Sequence, residues 1–110
     1  MKRRMMSSPV VYSAIKTLQM WLGRHTPAGM AHRRRMLSFY SRFITPGDLA
    51  IDVGANLGSR TDVFLDLGAR VICIEPQQRF FRILQRRYKH NRSVALLSCA
   101  VGSEVGESEL

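Results

Sequence analysis

The chain has 110 residues, of which 45% are hydrophobic and 23% are charged, and its formal net charge is +9. This length accommodates one domain at most, and the composition excludes an intrinsically disordered or a fibrous chain. Residues 1–47 contain nine basic residues and no acidic residue, whereas residues 48–110 contain eight of each. The positive charge therefore belongs to the N-terminal part, and the remainder is electrically neutral.

The sequence shows no transmembrane segment, because no apolar run approaches the ~18 residues that a spanning helix needs. Its first residues are basic and acid-poor, which is compatible with an organellar transit peptide, but the apolar stretch at residues 10–15 is too short for a secretory signal. Cys73 and Cys99 lack the spacing of a metal site, and because each lies in an apolar run they are predicted to be buried free thiols. We therefore favour a cytoplasmic location and predict no bound metal.

Two helices are predicted in the N-terminal part. Apolar residues recur at helical spacing over residues 9–22, and a second such pattern covers residues 30–43. Between them, Pro27-Ala-Gly29 is typical of a break. The sequence Thr45-Pro-Gly-Asp48 then predicts a turn, after which the hydrophobic pattern changes.

Short strands alternate with helices after this turn. Strands are predicted at residues 49–53, 70–75 and 93–101, and helices at residues 56–67 and 77–90. The strands are continuously apolar, as is typical of a parallel sheet that is buried on both faces. The predicted fold class is therefore α/β, a Rossmann-like parallel sheet of about three strands preceded by helices.

The loop after the first strand carries the most informative residues, Asp52-Val-Gly54-Ala-Asn56-Leu-Gly58. Glycine, and less often asparagine, tolerates positive φ, and glycine leaves room where a ligand approaches the backbone. Glu75 follows Gly58 by 17 residues, at the end of the second strand. A carboxylate there can accept hydrogen bonds from a ribose diol, and ligands of open α/β sheets bind at this end. The arrangement predicts a nucleotide-type ligand.

Two ligands of this type bind glycine-containing loops between a strand and a helix. Dinucleotide binding requires G-x-G-x-x-G, but positions 54, 56 and 59 are Gly, Asn and Ser. The alternating pattern Gly54, Asn56, Gly58, preceded by Asp52, fits better the loop that binds S-adenosylmethionine (SAM), which has no pyrophosphate. Asp52 is placed to attract the ammonium of SAM directly or through water. SAM is therefore the predicted cofactor, and an NAD-type domain is the weaker alternative.

Five short motifs between residues 37 and 110 are shared with a known family. They are Pro46-Gly-Asp48, Asp52-Val-Gly-Ala-Asn-Leu-Gly58, Gly68-Ala69, Val71 to Glu75-Pro76, and Ala100-Val-Gly102. In these motifs the chain resembles the front half of FkbM-type SAM-dependent methyltransferases, a class I methyltransferase family. The resemblance implies a Rossmann-like fold, SAM as cofactor, and O-methylation of a hydroxyl group on a small molecule or a glycan.

The resemblance also implies roles for individual residues. Asp52, Gly54 and Gly58 would line the methionine part of SAM, Glu75 would hold the ribose hydroxyls, and Ala100 would lie near the adenine. The predicted cofactor-binding residues are Asp52, Gly54, Asn56, Gly58, Glu75 and Ala100. No general base is visible, so no catalytic residue is assigned. Residues 1–46 are interpreted as a basic helical segment, and residues 47–110 as a partial SAM-binding domain.

Members of this family continue beyond the position of Leu110 with further strands and a Lys-x-Asp-x-Glu-Gly segment. The chain is therefore expected to represent the cofactor-binding half of the enzyme, as a truncated or fragmentary product. In the family the first strand is central in the sheet, so residues 49–53 would have an unpaired apolar edge here. A partner or a second copy of the chain is expected to cover that edge.

A function of another class is a non-catalytic basic adaptor that binds RNA or an anionic membrane through residues 1–42. Binding to phosphates through this segment would fall steeply with salt. Arg33-Arg-Arg35 and the arginines of residues 79–92 are more simply interpreted as solvated helix faces. No specific nucleic-acid partner is therefore predicted.

Overall fold

The structure, a computed structural model, describes residues 9–99. The chain divides into two compact units, Met1–Arg35 and Met36–Leu110. Helix α1 (Pro9–His25) belongs to the first unit, and helix α2 (Pro27–Tyr40) begins in it. Neither helix contains a buried residue. Within residues 9–99, no helix is both long and apolar enough to cross a membrane.

Helix α2 begins at Pro27, so the predicted break at residues 27–29 is wrong. The amide of Gly29 donates to Thr26 Oγ1 at 3.1 Å, which caps the helix, and proline is well tolerated at a first helical position. Position 29 requires a glycine, because a side chain there would collide with the carbonyl of Gly23. The glycine and proline therefore mark the start of a helix that packs closely on the end of α1.

The second unit contains a three-stranded parallel sheet in the order β1-β2-β3, with a helix in each connection. Its elements are β1 (Leu49–Val53), α3 (Ser59–Asp66), β2 (Arg70–Ile74), α4 (Gln78–Arg87) and β3 (Val94–Leu97). The register places Asp52 opposite Cys73, and Cys73 opposite Leu96. The predicted α/β fold with an incomplete parallel sheet is confirmed.

The start of α3 and the end of β3 differ from the predictions. Helix α3 begins at Ser59 instead of residue 56, because Asn56 and Gly58 have φ values of 52° and 93°, which are incompatible with a right-handed helix. Strand β3 ends at Leu97. The last two residues of the strand predicted at 93–101 lie outside the described residues.

One face of the sheet forms the core. Side chains alternate across a strand, so Val71 and Cys73 of β2 share a face, and both are fully buried. Helices α3 and α4 both cover this face, as right-handed crossovers that run in one direction along a sheet require. The buried apolar cluster contains Ala55, Phe64, Ala69, Val71, Cys73, Leu84 and Tyr88.

The opposite face of the sheet is apolar and exposed among the described residues. Leu49, Ile51 and Val53 are 54%, 57% and 56% exposed, and Leu97 of β3 is also exposed. The prediction of strands buried on both faces is therefore wrong for this part of the chain. The strands are continuously apolar because both faces of the sheet carry apolar side chains, and the described helices cover one of these faces. Strand β1 is also an edge strand of this sheet.

We expect a lysine to destabilise the protein much less on the exposed face of the sheet than on the covered face. Ile51→Lys, on the exposed face, should change the free energy of unfolding by less than about 1 kcal/mol and should reduce aggregation of the 110-residue chain. Val71→Lys, on the covered face at 1% exposure, should cost about 3 kcal/mol or more because it buries an unpaired charge. Urea unfolding and light scattering measure both effects. Equal destabilisation by the two variants would show that the first face is also buried.

Candidate functional site

The loop from Gly54 to Gly58 leaves β1 at its carboxyl end and passes over the end of β2. The amides of Gly54 and Ala55 donate to the carbonyl of Ile74 at 2.8 and 3.2 Å. The amide of Gly58 donates to the carbonyl of Ala55 at 2.9 Å, which closes the turn before α3. These bonds hold the loop at the edge of the sheet where open α/β folds bind ligands.

Gly54 stands next to open space. Its φ is +68°, and a Cβ built on it would have no atom within 4 Å beyond its chain neighbours. Asn56, two residues further on, is exposed and has a φ of 52°. Both positions therefore have the left-handed conformation that Gly and Asn tolerate, and Gly54 has room for a ligand beside the backbone.

Gly58 is required for a different reason. It has a φ of +93°, and a Cβ on it would lie 2.5 Å from Tyr88 Oη and 2.6 Å from Arg87 Nη1. Close packing of residues from the end of α4 therefore demands a glycine here, whether or not a ligand is bound. The role of Gly58 in lining a cofactor stays a prediction.

Three side chains lock the end of this loop. Arg87 donates through Nη1 to the carbonyl of Leu57 at 2.6 Å and through Nη2 to Asp62 at 2.7 Å. The Tyr88 hydroxyl donates to the other oxygen of Asp62 at 2.5 Å. Burial raises the pKa of Tyr88, and the hydrogen bond with Asp62 raises it further, so the phenol stays a donor. Sequence reasoning missed this network, because Asp62 precedes Arg87 by 25 residues and nothing in the spacing links them.

Asp52 is buried beneath the loop, with 2% of its surface exposed. One carboxylate oxygen accepts a hydrogen bond from Thr61 Oγ1 at 2.7 Å, and the other is 2.9 Å from Arg60 Nη2. Thr61 also lies 3.0 Å from Cys73 Sγ, and burial raises the pKa of that thiol. The carboxylate at the end of β1 is therefore already paired inside the protein.

Arg60 covers this carboxylate from the solvent side. Its Nε donates to Asp52 at 3.1 Å, and its Nη2 donates to the carbonyls of Val53 at 3.1 Å and Gly54 at 3.3 Å. The Arg60 side chain is 42% exposed, whereas that of Asp52 is 1% exposed. Arg60 is not among the site residues predicted from the sequence. Its position two residues after Gly58, close to the acidic residue at the end of the first strand, could have indicated a pairing with Asp52.

Glu75 joins the loop to the start of α4. It is 1% exposed, and its two oxygens accept hydrogen bonds from the amides of Asn56 and Gln77, both at 2.8 Å. A carboxylate oxygen has more than one acceptor site, so these bonds leave acceptor capacity, but at 1% exposure a ligand hydroxyl reaches it only after neighbouring atoms move. The structure thus brings Asp52, Gly54, Asn56 and Glu75 to the carboxyl ends of β1 and β2. Ala100 lies outside the described residues.

No protein-family model matches the sequence, and no curated protein matches it. Among solved structures, the chain is similar to the C-terminal domain of precorrin-6Y C5,15-methyltransferase from Rhodobacter capsulatus, with a TM-score of 0.57 and 19% identity over 76% of this chain and 45% of that one. The corresponding enzyme from Geobacter metallireducens gives a TM-score of 0.54 and 20% identity over 71% and 41%.

A third similar structure is the glycopeptide N-methyltransferase MtfA in complex with SAM, with a TM-score of 0.53 and 19% identity over 62% of this chain and 32% of that one. The chain therefore spans less than half the length of each of these structures. Identities of 19–20% relate the folds alone. The three-stranded sheet with its two connecting helices has the Rossmann-like fold of part of these methyltransferases.

Proposed function

We propose that the chain is the cofactor-binding part of a SAM-dependent methyltransferase of FkbM type, which transfers a methyl group to a hydroxyl of a small molecule or a glycan. The observation that carries the proposal is the open space at Gly54, in a loop that also holds the Asp52–Arg60 pair at the end of β1 and bonds to Glu75 at the end of β2. The similar structures support it, because they are methyltransferases and one contains SAM.

The residues present fit the chemical groups of SAM. The ligand carries an amino-acid zwitterion at one end and a ribose diol nearer the other. At the end of β1, where the zwitterion would lie, the Asp52–Arg60 pair places an exposed guanidinium over a buried carboxylate, and the oxygens of Glu75 keep acceptor sites for the diol. The backbone at Gly54 has open space beside it for part of the ligand.

The bound cofactor would supply an electrophilic methyl group for transfer to the acceptor oxygen. The contribution of the described residues would be to bind and orient the cofactor, because a fixed approach of the reacting atoms lowers the barrier. The hydroxyl acceptor follows from the sequence resemblance to the FkbM type. The basic adaptor function of residues 1–42 remains a separate prediction.

Gly54→Ala tests the proposed cofactor site. The added methyl group would enter the open space at Gly54, so SAM affinity should fall at least about tenfold, or about 1.4 kcal/mol. The free energy of unfolding should fall by only about 1 kcal/mol, because only the left-handed backbone opposes the substitution. Isothermal titration calorimetry with SAM and urea unfolding measure the two quantities.

Gly47→Ala is the matched control for this experiment. Gly47 has a φ of +91°, and its Cβ would also have no atom within 4 Å, but it lies in the turn before β1. We expect a similar loss of stability with unchanged SAM affinity. Equal SAM affinity in both variants, or no SAM binding by the unchanged chain, would contradict the proposed site.

A further inference from the structure

The Asp52 carboxylate cannot meet a ligand directly while Arg60 keeps its observed position. Its side chain is 1% exposed, one oxygen is bonded to Thr61, and the other is bonded to Arg60. A ligand ammonium would therefore have to displace the guanidinium before it could contact Asp52. The group that faces an incoming ligand at this strand end is the cation of Arg60.

Arg60 is held in place but still has donor capacity. Nε and Nη2 bind Asp52 and two carbonyls at the end of β1. Among residues 9–99, no partner of Nη1 is found, and 42% of the side chain is exposed. A guanidinium has five N–H donors in a planar fork that matches a carboxylate. The observed bonds thus leave donors for an anionic ligand group beside Gly54.

We propose that Arg60 binds the carboxylate of the amino-acid group of SAM, and that Asp52 is a positioning residue that holds the guanidinium against the carbonyls of Val53 and Gly54. This inference rests on the proposed function, because SAM is the ligand that brings the carboxylate. The sequence predicted that Asp52 attracts the ligand ammonium. In the proposed arrangement Asp52 instead holds Arg60, and Arg60 contacts the ligand carboxylate. The neutral Asp52–Arg60 pair also matches a zwitterion without leaving an excess charge in the site.

Decarboxylated SAM is the probe that tests the inference, because it lacks only the carboxylate. Calorimetry should show that the unchanged 110-residue chain binds SAM about tenfold more tightly than decarboxylated SAM, as expected for one charge-assisted contact. Arg60→Ala should abolish this preference by weakening SAM alone. Arg60→Lys should retain part of it, because the cation remains but the planar fork is lost.

Two further variants distinguish a direct contact of Arg60 with the ligand from other effects. One tests whether Asp52 positions Arg60, and the other tests the effect of net charge. Asp52→Asn removes the charge that holds the guanidinium, so the ratio of the affinities for SAM and decarboxylated SAM should fall toward that of Arg60→Ala. Arg82→Ala removes one positive charge from an exposed position on α4. It should leave both affinities unchanged.

Three outcomes would overturn the inference. If Arg60→Ala weakens both ligands equally, Arg60 only supports the loop. If it tightens SAM binding, the guanidinium competes with the ligand ammonium for Asp52. Either result leaves the proposed function intact, because SAM still binds. If the unchanged chain binds neither ligand, the proposed function and the inference fail together.

Discussion

Gly58→Ala should lower the free energy of unfolding by about 3 kcal/mol. About 1 kcal/mol or more comes from placing a Cβ on a residue with a φ of +93°, and the rest from crowding. The new methyl group would lie 2.5 Å from Tyr88 Oη and 2.6 Å from Arg87 Nη1. Neither atom can move freely, because both are hydrogen-bonded to the loop or to Asp62. Urea unfolding measures the loss.

Gly47→Ala isolates the backbone part of this effect, because Gly47 has a nearly equal φ of +91° and open space around it. It should cost only about 1 kcal/mol. A double-mutant cycle with Tyr88→Phe isolates the crowding part, since removal of the hydroxyl should relieve some of the strain of Gly58→Ala. Equal costs for the two glycine variants, or additive effects in the cycle, would disprove the packing explanation.

Glu75→Ala should affect both stability and SAM binding. Loss of the carboxylate leaves the amides of Asn56 and Gln77 without their acceptor, which should cost about 2 kcal/mol of unfolding free energy. SAM affinity should fall at least about tenfold, because the predicted acceptor for the ribose diol is lost and the loop is released. Unfolding in urea and calorimetry with SAM give the two values.

A second pair of ligands distinguishes the loss of a contact with the ribose from the loss of loop order in Glu75→Ala. If Glu75 binds the diol, the unchanged chain should prefer adenosine to 2′,3′-dideoxyadenosine, and Glu75→Ala should lose that preference. Gln78→Ala is the control, because this exposed side chain lies at the same end of the sheet and, within residues 9–99, bonds only to Ser98. Unchanged SAM affinity in Glu75→Ala would refute the ribose assignment, and unchanged stability would refute the role of Glu75 in tying the loop.

The sheet was predictable because its pattern is local. Apolar runs bounded by turn residues located β1 and β2 to within one residue, and the intervening helical spacing implied parallel pairing. The helix ends were less predictable. The break expected at residues 27–29 became the start of α2, because Thr26 caps the helix and proline is tolerated at its first position, while close packing only requires a glycine at position 29.

Within the candidate site, sequence reasoning located the acidic strand ends but not their partners. Asp52 and Glu75 were singled out by position, and the structure places both at the carboxyl ends of adjacent strands. It also buries both and pairs each with protein donors. Pairing depends on rotamers and on backbone amides that converge from separate elements, which spacing along the chain does not encode.

The sequence by itself determined the order of strands and helices, the positions that need a left-handed backbone, and the strand ends where a ligand can bind, because each depends on neighbouring residues. Only the tertiary structure decided which glycine adjoins open space, which one is closed by α4, and that Arg60 covers Asp52. It also decided which apolar face of the sheet is covered. These properties arise from contacts between segments far apart in sequence, and such contacts exist only after the chain has folded.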